Sequence, residues 1–244
     1  MDKKVAVIAG GAGRIGFEIC RTFCESGMSL VILGSSKARA IDTARRLENY
    51  GGQCLAIGCN VVNSKDVHEA MEQAADRFGG IDVVISMQGW PSKKAKITEI
   101  TDEHWNGVLS SHLTGSFHML QQAIPYLEKS SAPRVIFMAS HKACTGASDD
   151  SLAYTVAKGG IISMTYYAAK ILANKGITVN CIATGGIYNN YGPDENEVDL
   201  VKRIPLGRIS TPEEVAAAVC YLVGDDAGFI TGKVLNVNGG LSVG

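Results

Sequence analysis

The sequence has almost no net charge and no extended basic segment. Its 244 residues include 23 lysines and arginines and 24 aspartates and glutamates, which gives a formal net charge of −1. A nucleic-acid-binding domain usually carries a basic patch or stripe. Lys93, Lys94 and Lys96 form only a short basic run, which is typical of a solvated loop. The composition therefore argues against a nucleic-acid partner and is ordinary for a globular protein.

Long apolar runs and paired cysteine motifs are also missing. No uninterrupted apolar stretch reaches the roughly 20 residues that cross a bilayer, and residues 1–4 show no signal-peptide pattern. The seven cysteines are scattered and form no Cys-x-x-Cys motif. Cys20 and Cys24 share a predicted helix face without further ligands nearby, so we expect reduced core cysteines and no metal. These absences predict a cytoplasmic protein that does not contact the membrane.

Short apolar segments alternate with helical patterns along the whole chain. The predicted strands are 5–9, 30–33, 54–59, 81–86, 134–138, 178–183 and 234–237. Helical patterns cover 17–25, 37–49, 64–78 and 104–129, the region from 154 to 173, and a segment that opens at Thr211. This alternation predicts an α/β fold, a single doubly wound Rossmann-type parallel sheet of seven strands with helices on both faces. We expect one domain over residues 1–244.

A glycine-rich turn follows the first predicted strand. Gly10, Gly13 and Gly16 lie between an apolar strand and a helix, which is the context of a dinucleotide-binding fingerprint. Glycine permits a tight turn and close approach to a pyrophosphate, whose charge is stabilised at a helix N-terminus. The pattern predicts a dinucleotide site at this turn.

The second predicted strand ends without an acidic residue. Enzymes that use unphosphorylated NAD usually place an aspartate or glutamate there to bind the ribose hydroxyls. This chain instead offers Ser35, Ser36, Lys37 and Arg39, with Arg14 in the glycine turn. Donors without a carboxylate suit a 2′-phosphate, which favours NADP(H) and leaves NAD(H) as the alternative.

A tyrosine and a lysine lie one helical turn apart at Tyr154 and Lys158. A cation within about 4–6 Å favours the phenolate, which suits general acid/base chemistry. Ser140, at the end of the fifth predicted strand, could hold a carbonyl oxygen beside Tyr154. A second pair, Tyr166 and Lys170, lies deeper in the same helix. Because ligands bind beyond the carboxyl ends of parallel strands, we assign the chemistry to the first pair and expect Tyr166 in the core or an interface.

In this combination the chain resembles the short-chain dehydrogenase/reductase family, in its single-domain branch, and is similar to 3-oxoacyl-(acyl-carrier-protein) reductases. The resemblance extends from Gly10 to Gly240 and centres on Ser140 with Tyr154-x-x-x-Lys158. It implies hydride transfer between a nicotinamide and a small-molecule carbonyl or secondary alcohol. Ser140 would polarise the substrate oxygen and Tyr154 would act as general acid/base. Lys158 would lower the tyrosine pKa and bind the nicotinamide ribose. A homotetramer is also implied.

The resemblance implies cofactor contacts position by position. Asn60 stands where the family usually has an aspartate beside adenine, and its amide oxygen can accept the same hydrogen bond. Gly89 would line the adenine ribose, and Ile187, which follows Gly185, would approach the nicotinamide carboxamide. The implied cofactor-binding residues are Gly10, Gly13, Arg14, Ile15, Gly16, Ser35, Ser36, Asn60, Val61, Gly89, Tyr154, Lys158, Gly185 and Ile187.

The chain also departs from the family pattern at several positions. Ala9 replaces a threonine, Arg14 a glycine, Ser86-Met87-Gln88-Gly89 the sequence Asn-Asn-Ala-Gly, and Thr184 a proline. His112 stands in place of the asparagine of the catalytic tetrad, so we include it among the catalytic residues. An imidazole there could keep a proton relay that depends on pH, or it could be a hydrogen-bonded helix residue. His141 is expected to face away from the site.

Two further segments also have predicted roles. Residues 185–204 are polar and irregular, which predicts a substrate lid that offers Tyr188, Asn189, Asn190 and Tyr191. Residues 160–173 are apolar nearly all round, which predicts a helix buried in the core or between subunits.

The favoured function is an NADP(H)-dependent oxidoreductase. The alternative is a non-catalytic dinucleotide-binding sensor or partner protein with the same fold.

Overall fold

A seven-stranded parallel sheet forms the centre of the protein. The computed structural model describes residues 4–89, 94–146, 151–187 and 195–243, with side chains described from residue 199 in the last range. The strand order is β3-β2-β1-β4-β5-β6-β7, and every neighbouring pair is parallel. The strands are β1 (Val5–Ala9), β2 (Ser29–Gly34), β3 (Gln53–Gly58), β4 (Val83–Ser86), β5 (Arg134–Ser140), β6 (Thr178–Thr184) and β7 (Val234–Val237). The predicted α/β fold is confirmed.

Helices pack on both faces of the sheet and bury two separate apolar clusters. The α-helices of the described residues are α1 (Arg14–Glu25), α2 (Lys37–Glu48), α3 (Ser64–Phe78), α4 (Asp102–Leu109), α5 (Gly115–Leu127), α6 (His141–Thr145), α7 (Leu152–Leu172), α8 (Glu195–Arg203) and α9 (Pro212–Val223). One cluster joins the sheet to α3, α5 and α7, and the other joins it to α1, α2 and α9. Strands buried on both faces explain the continuous apolar runs in the sequence.

The strand order reverses between β1 and β4, and this reversal determines where ligands can bind. From β1 the chain moves outward through β2 and β3, then returns to place β4 on the other side of β1. Such a reversal is where open α/β sheets bind ligands, in a crevice beyond the carboxyl ends of the strands. Gly10 and Met87 directly follow β1 and β4, and both line the cavity at this point.

Three predicted features differ from the structure. The predicted helix 104–129 begins two residues earlier, at Asp102, and a π-helical turn over Ser110–Thr114 divides it into α4 and α5. The segment 195–203, predicted to be irregular, forms helix α8, while Tyr188, Asn189, Asn190 and Tyr191 lie outside the described residues. Tyr166 is 49% exposed, so it is not a core residue. It lies on the outer face of α7, and its place in a subunit interface stays a prediction.

Helix α9 begins with a capping box. The Thr211 side chain accepts from the Glu214 backbone N–H, and the Glu214 carboxylate accepts from the Thr211 N–H. Pro212 occupies the first turn, where its missing N–H costs nothing. Within the described residues, no helix is both long and apolar enough to span a bilayer.

Candidate active site and dinucleotide cleft

The turn between β1 and α1 can be built only with glycine at two of its positions. Gly10 has a φ of 89°, in the left-handed region that side chains disfavour. A Cβ atom at Gly16 would lie 2.3 Å from the carbonyl oxygen of Gly10. The Gly13 N–H donates to the same oxygen at 3.0 Å, and Gly13 then begins α1 without a capping side chain. The N-terminus of α1 has no capping side chain and lies at this turn, and the positive end of a helix attracts an anion such as a dinucleotide pyrophosphate.

A cavity of about 530 Å³ adjoins this turn. It extends across the ends of β2 and β3 to the loop after β4, and it is lined by Gly10, Gly13, Ser35, Ser36, Arg39, Asn60, Val61 and Gly89 among others. No aspartate or glutamate is among its described lining residues. The size and position suit the adenosine half of a dinucleotide.

Arg39, and not Arg14, is the arginine that lines this cavity. The Ser36 hydroxyl caps α2 by accepting from the Arg39 N–H at 3.4 Å, and the Arg39 guanidinium donates to the carbonyl of Ala12 at 3.4 Å. Arg14 is exposed at the start of α1, and Lys37 packs its methylene groups beside Gly58. Arg39 was not among the predicted cofactor-binding residues. The signal was its place on the first turn of a helix capped by Ser36.

Asn60 lines the first cavity, but its amide oxygen already has a partner. The oxygen accepts from the Val62 N–H at 3.3 Å, and the Asn60 backbone N–H donates to Asp66 at 3.2 Å. An amide oxygen has two lone pairs, so one remains for a ligand. The expected contact with adenine stays a prediction.

Ser140, Tyr154 and Lys158 line a second cavity of about 470 Å³. Ser140 ends β5 and caps α6, because its hydroxyl accepts from the Lys142 N–H at 3.3 Å. Tyr154 lies on the first turn of α7, and Lys158 follows one turn later. The Lys158 ammonium donates to the Met138 carbonyl at 2.7 Å and lies 5.6 Å from the centroid of the Tyr154 ring.

Burial dominates the titration of this pair. It raises the pKa of Tyr154, and the hydrogen bond with Ser140 acts in the opposite direction. Burial also lowers the pKa of Lys158 to about 8. The expected lowering of the tyrosine pKa by Lys158 is not seen in this structure, because the loss of solvent around the phenol has the larger effect.

His112 packs directly against Tyr154. The two rings meet edge to face with centroids 5.2 Å apart and an interplanar angle of 87°. The imidazole is buried on the π-helical turn and covers Gly89, where a Cβ atom would lie only 1.8 Å from its Cε1. π-helical turns are frequent at functional sites. Gly89 lines both cavities, so His112 stands where the two meet.

The remaining predicted residues divide between lining and support. Ile15, Gly185 and Ile187 line the second cavity, and Gly16 supports the glycine turn from a buried position. His141 lies on the second cavity with its Nδ1 3.2 Å from the Thr184 carbonyl, and the expectation that it takes no part in the site stays a prediction. Lys142 lines this cavity as well and was not among the predicted site residues. Its position two residues after Ser140 was the available signal.

Comparison with known proteins identifies the class. Residues 10–242 match the family model described as enoyl-(acyl carrier protein) reductase. The match covers most of the chain, and the fold and full-length relatives agree with it. The chain therefore belongs to the short-chain dehydrogenase/reductase family, and it is an oxidoreductase that acts on CH–OH or C=O groups with a nicotinamide cofactor.

Two curated relatives and one solved structure illustrate the match. The chain is 29% identical over 246 residues to a 3-oxoacyl-(acyl-carrier-protein) reductase of Thermotoga maritima, covering 100% of this chain and 99% of that one. It is 32% identical over 241 residues to the cis-4-hydroxycyclohexanecarboxylate dehydrogenase of Sinomonas cyclohexanicum, covering 98% and 96%. The crystal structure of gox2181 superposes with a TM-score of 0.93 at 24% identity, over 99% and 96% of the chains, which supports the fold alone.

Proposed function

We propose that the chain is an NADP(H)-dependent oxidoreductase that interconverts a carbonyl and a secondary alcohol, with Tyr154 as general acid/base. The observation that carries this proposal is the meeting of Ser140, Tyr154 and Lys158 on one cavity, next to the cavity at the glycine turn. The trio comes from two elements: Ser140 ends β5, and Tyr154 and Lys158 lie on successive turns of α7. Their convergence gives a hydroxyl pair to hold one substrate oxygen.

The cofactor, when bound, supplies or accepts the hydride. Gly10, Gly13, Ile15 and Gly16 would form the pyrophosphate turn, and Val61 and Gly89 would border the adenosine. Asn60 would contact the adenine. Gly185 and Ile187 would border the nicotinamide end, with Lys158 on the ribose. The glycine turn fits this assignment because it leaves the N-terminus of α1 open to an anion.

Proton transfer falls to Tyr154. Because burial raises its pKa above the ordinary value of 10.0, the phenol keeps its proton at neutral pH. It can then donate that proton to the oxygen of a carbonyl substrate while Ser140 donates a hydrogen bond to the same oxygen. His112 would hold the phenol in position through its edge-to-face contact. The raised pKa favours carbonyl reduction over alcohol oxidation near pH 7.

The preference for NADP(H) is supported by the side chains at the end of β2. Ser35, Ser36 and Arg39 line the first cavity, and its described lining residues include no carboxylate that would repel a 2′-phosphate. Arg39 takes the role predicted for Arg14, since of these two arginines Arg39 is the one that lines the cavity. NAD(H) remains the alternative cofactor.

Binding measurements with Arg39→Ala test the cofactor assignment. Calorimetry should show tighter binding of NADPH than of NADH to the wild-type chain. Arg39→Ala should weaken NADPH binding on the order of tenfold, the effect of one lost charge-assisted contact. Arg14→Ala is the matched control and should change little. A wild-type preference for NADH, or a larger effect of Arg14→Ala, would contradict the assignment.

Tyr154→Phe tests the chemistry. The variant keeps the ring and its contact with His112 but removes the proton, so carbonyl reduction should fall at least a hundredfold while NADPH binding stays within a factor of about three. Reduction at the wild-type rate would favour a binding role for the site over a catalytic one. Tyr166→Phe, on the outer face of the same helix, is the control.

Three broader predictions accompany the proposal. The chain acts as one domain over 1–244, and residues 185–204 form a substrate lid, of which 188–194 lie outside the described residues. The chain forms a homotetramer, which is supported by exposed apolar side chains on α7: Tyr166, Tyr167 and Ile171 are 49%, 69% and 54% exposed. Analytical ultracentrifugation should give four times the chain mass, and a monomer would contradict this prediction.

A further inference from the structure

Three lysines line the second cavity. They are Lys94, Lys142 and Lys158, and the described lining residues include no aspartate or glutamate. A concave site lined by charge of one sign raises the local concentration of ligands with the opposite sign. Lys158 is the lysine of the proposed catalytic trio, and Lys94 and Lys142 are two further lysines on the same cavity.

Lys142 differs from Lys158 in what it can reach. The Lys158 ammonium is buried against the sheet and donates to a strand carbonyl. Lys142 is half-buried at the cavity wall, with its ammonium 5.9 Å from the centroid of the Tyr154 ring and 3.3 Å from the Ser151 hydroxyl. Its own backbone N–H donates to Ser140. The Lys142 ammonium therefore lies near the Tyr154 ring, on the cavity that Ser140 also lines.

We propose that Lys142 binds a carboxylate of the substrate, so that the chain acts on oxo acids and the matching hydroxy acids. This inference rests on the proposed function, which places the reacting oxygen between Ser140 and Tyr154. Because Lys142 follows Ser140 by only two residues, the carboxylate must lie a few bonds from the reacting carbon. A charge-assisted hydrogen bond in a partly buried site gives both affinity and orientation. Lys94 lines the same cavity and adds a second positive charge.

Matched acid and ester pairs test the proposal. The probes are 4-oxopentanoate and 5-oxohexanoate, each compared with its methyl ester under NADPH. In the wild-type chain kcat/KM should favour the acid on the order of tenfold or more. Lys142→Met should bring this ratio close to one, mainly by raising KM for the acid, and the loss of activity should be far smaller for the ester than for the acid. Lys96→Met, an exposed lysine outside the cavity lining, is the control and should keep the wild-type ratio.

Further variants separate charge recognition from a folding defect. Lys142→Arg keeps the charge and should keep part of the acid preference, and higher salt should reduce the preference in the wild-type chain. Asp149 and Asp150 follow Lys142 in the sequence and lie outside the described residues. A variant with asparagine at both positions measures their effect on the acid preference, and it should keep that preference. Equal rates for acid and ester in the wild-type chain, or a preference that survives Lys142→Met, would overturn the inference.

A binding experiment distinguishes failure of this inference from failure of the proposed function. Calorimetry compares the binding of pentanoate with that of pentanamide, neither of which contains a ketone that the chain could reduce. Binding of pentanoate alone, lost in Lys142→Met, would support the carboxylate site even if no carbonyl compound were turned over. Reduction of ketones without any acid preference would leave the oxidoreductase intact and overturn the carboxylate site.

Discussion

Replacement of Lys158 by methionine tests how strongly one buried cation destabilises the fold. The side chain is 4% exposed, and burial lowers its pKa from 10.5 to about 8. Between these two values the unfolded chain binds more protons than the folded chain, so the lysine's destabilising effect weakens as the pH rises. One pKa unit corresponds to about 1.4 kcal/mol. The charged lysine therefore costs the folded state about 3 kcal/mol at pH 7.

Methionine has a similar length and removes this cost, but it also removes a hydrogen bond. The Lys158 ammonium donates to the Met138 carbonyl at 2.7 Å, and such a bond from a charged donor contributes about 1.5–3 kcal/mol. At pH 7 we expect Lys158→Met to be as stable as the wild-type chain or up to about 2 kcal/mol more stable. Between pH 7 and pH 9.5 the difference in free energy of unfolding should shift by about 2 kcal/mol in favour of the wild-type chain, because the lysine of the folded chain becomes neutral.

The assay is urea unfolding of both chains at pH 7.0 and 9.5, without added nucleotide. Lys170→Met, an exposed lysine on the same helix, is the control and should show no comparable change with pH. A stability difference between Lys158→Met and the wild-type chain that is equal at both pH values would refute the reasoning. A difference that moved in the opposite direction would show that burial does not lower the pKa of Lys158.

Three further predictions follow from single contacts. Gly89→Ala should lower the free energy of unfolding by about 1–3 kcal/mol, because the new Cβ would clash with the His112 ring. A second substitution, His112→Asn, should restore part of the lost stability. Urea unfolding measures both variants, and equal stability of Gly89→Ala and wild type would contradict the contact. Thr211→Ala should cost about 1 kcal/mol in the same assay through loss of the capping box, whereas Thr211→Ser should not. Alcohol oxidation should accelerate as the pH rises toward the raised pKa of Tyr154, because it requires the phenolate; a rate that fell with pH in steady-state assays would count against Tyr154 as the base.

The sheet and the position of the site could be predicted because each depends on local patterns. Buried parallel strands are continuous apolar runs, and glycine is required in the turn after β1 for steric reasons. The rule that ligands bind at strand ends then selected Tyr154 over Tyr166. The structure agrees, since Tyr154 lines the second cavity and Tyr166 faces outward.

The rest could not be predicted because it depends on tertiary contacts. The π-helical turn at Ser110–Thr114 has no clear sequence signature, yet it brings His112 against Tyr154. Residue spacing placed Lys158 near the phenol, but it could not indicate how far burial removes water from the site. The predicted direction of the shift in the pKa of Tyr154 was therefore wrong. Helix phase alone could not show that Arg39 lines the first cavity and that Arg14 is not among its lining residues.

The stability cost of Lys158 and the assignment of Lys142 lead to one joint expectation. Both ammonium groups lie within 5.9 Å of the centroid of the Tyr154 ring, at 5.6 and 5.9 Å, on a cavity without a described lining carboxylate. A carboxylate bound there would favour the charged form of Lys158 and raise its lowered pKa. Ligand binding stabilises the folded chain by mass action, so pentanoate should raise the free energy of unfolding more at pH 7 than at pH 9.5. One bound substrate anion would then interact with the ammonium groups of both lysines.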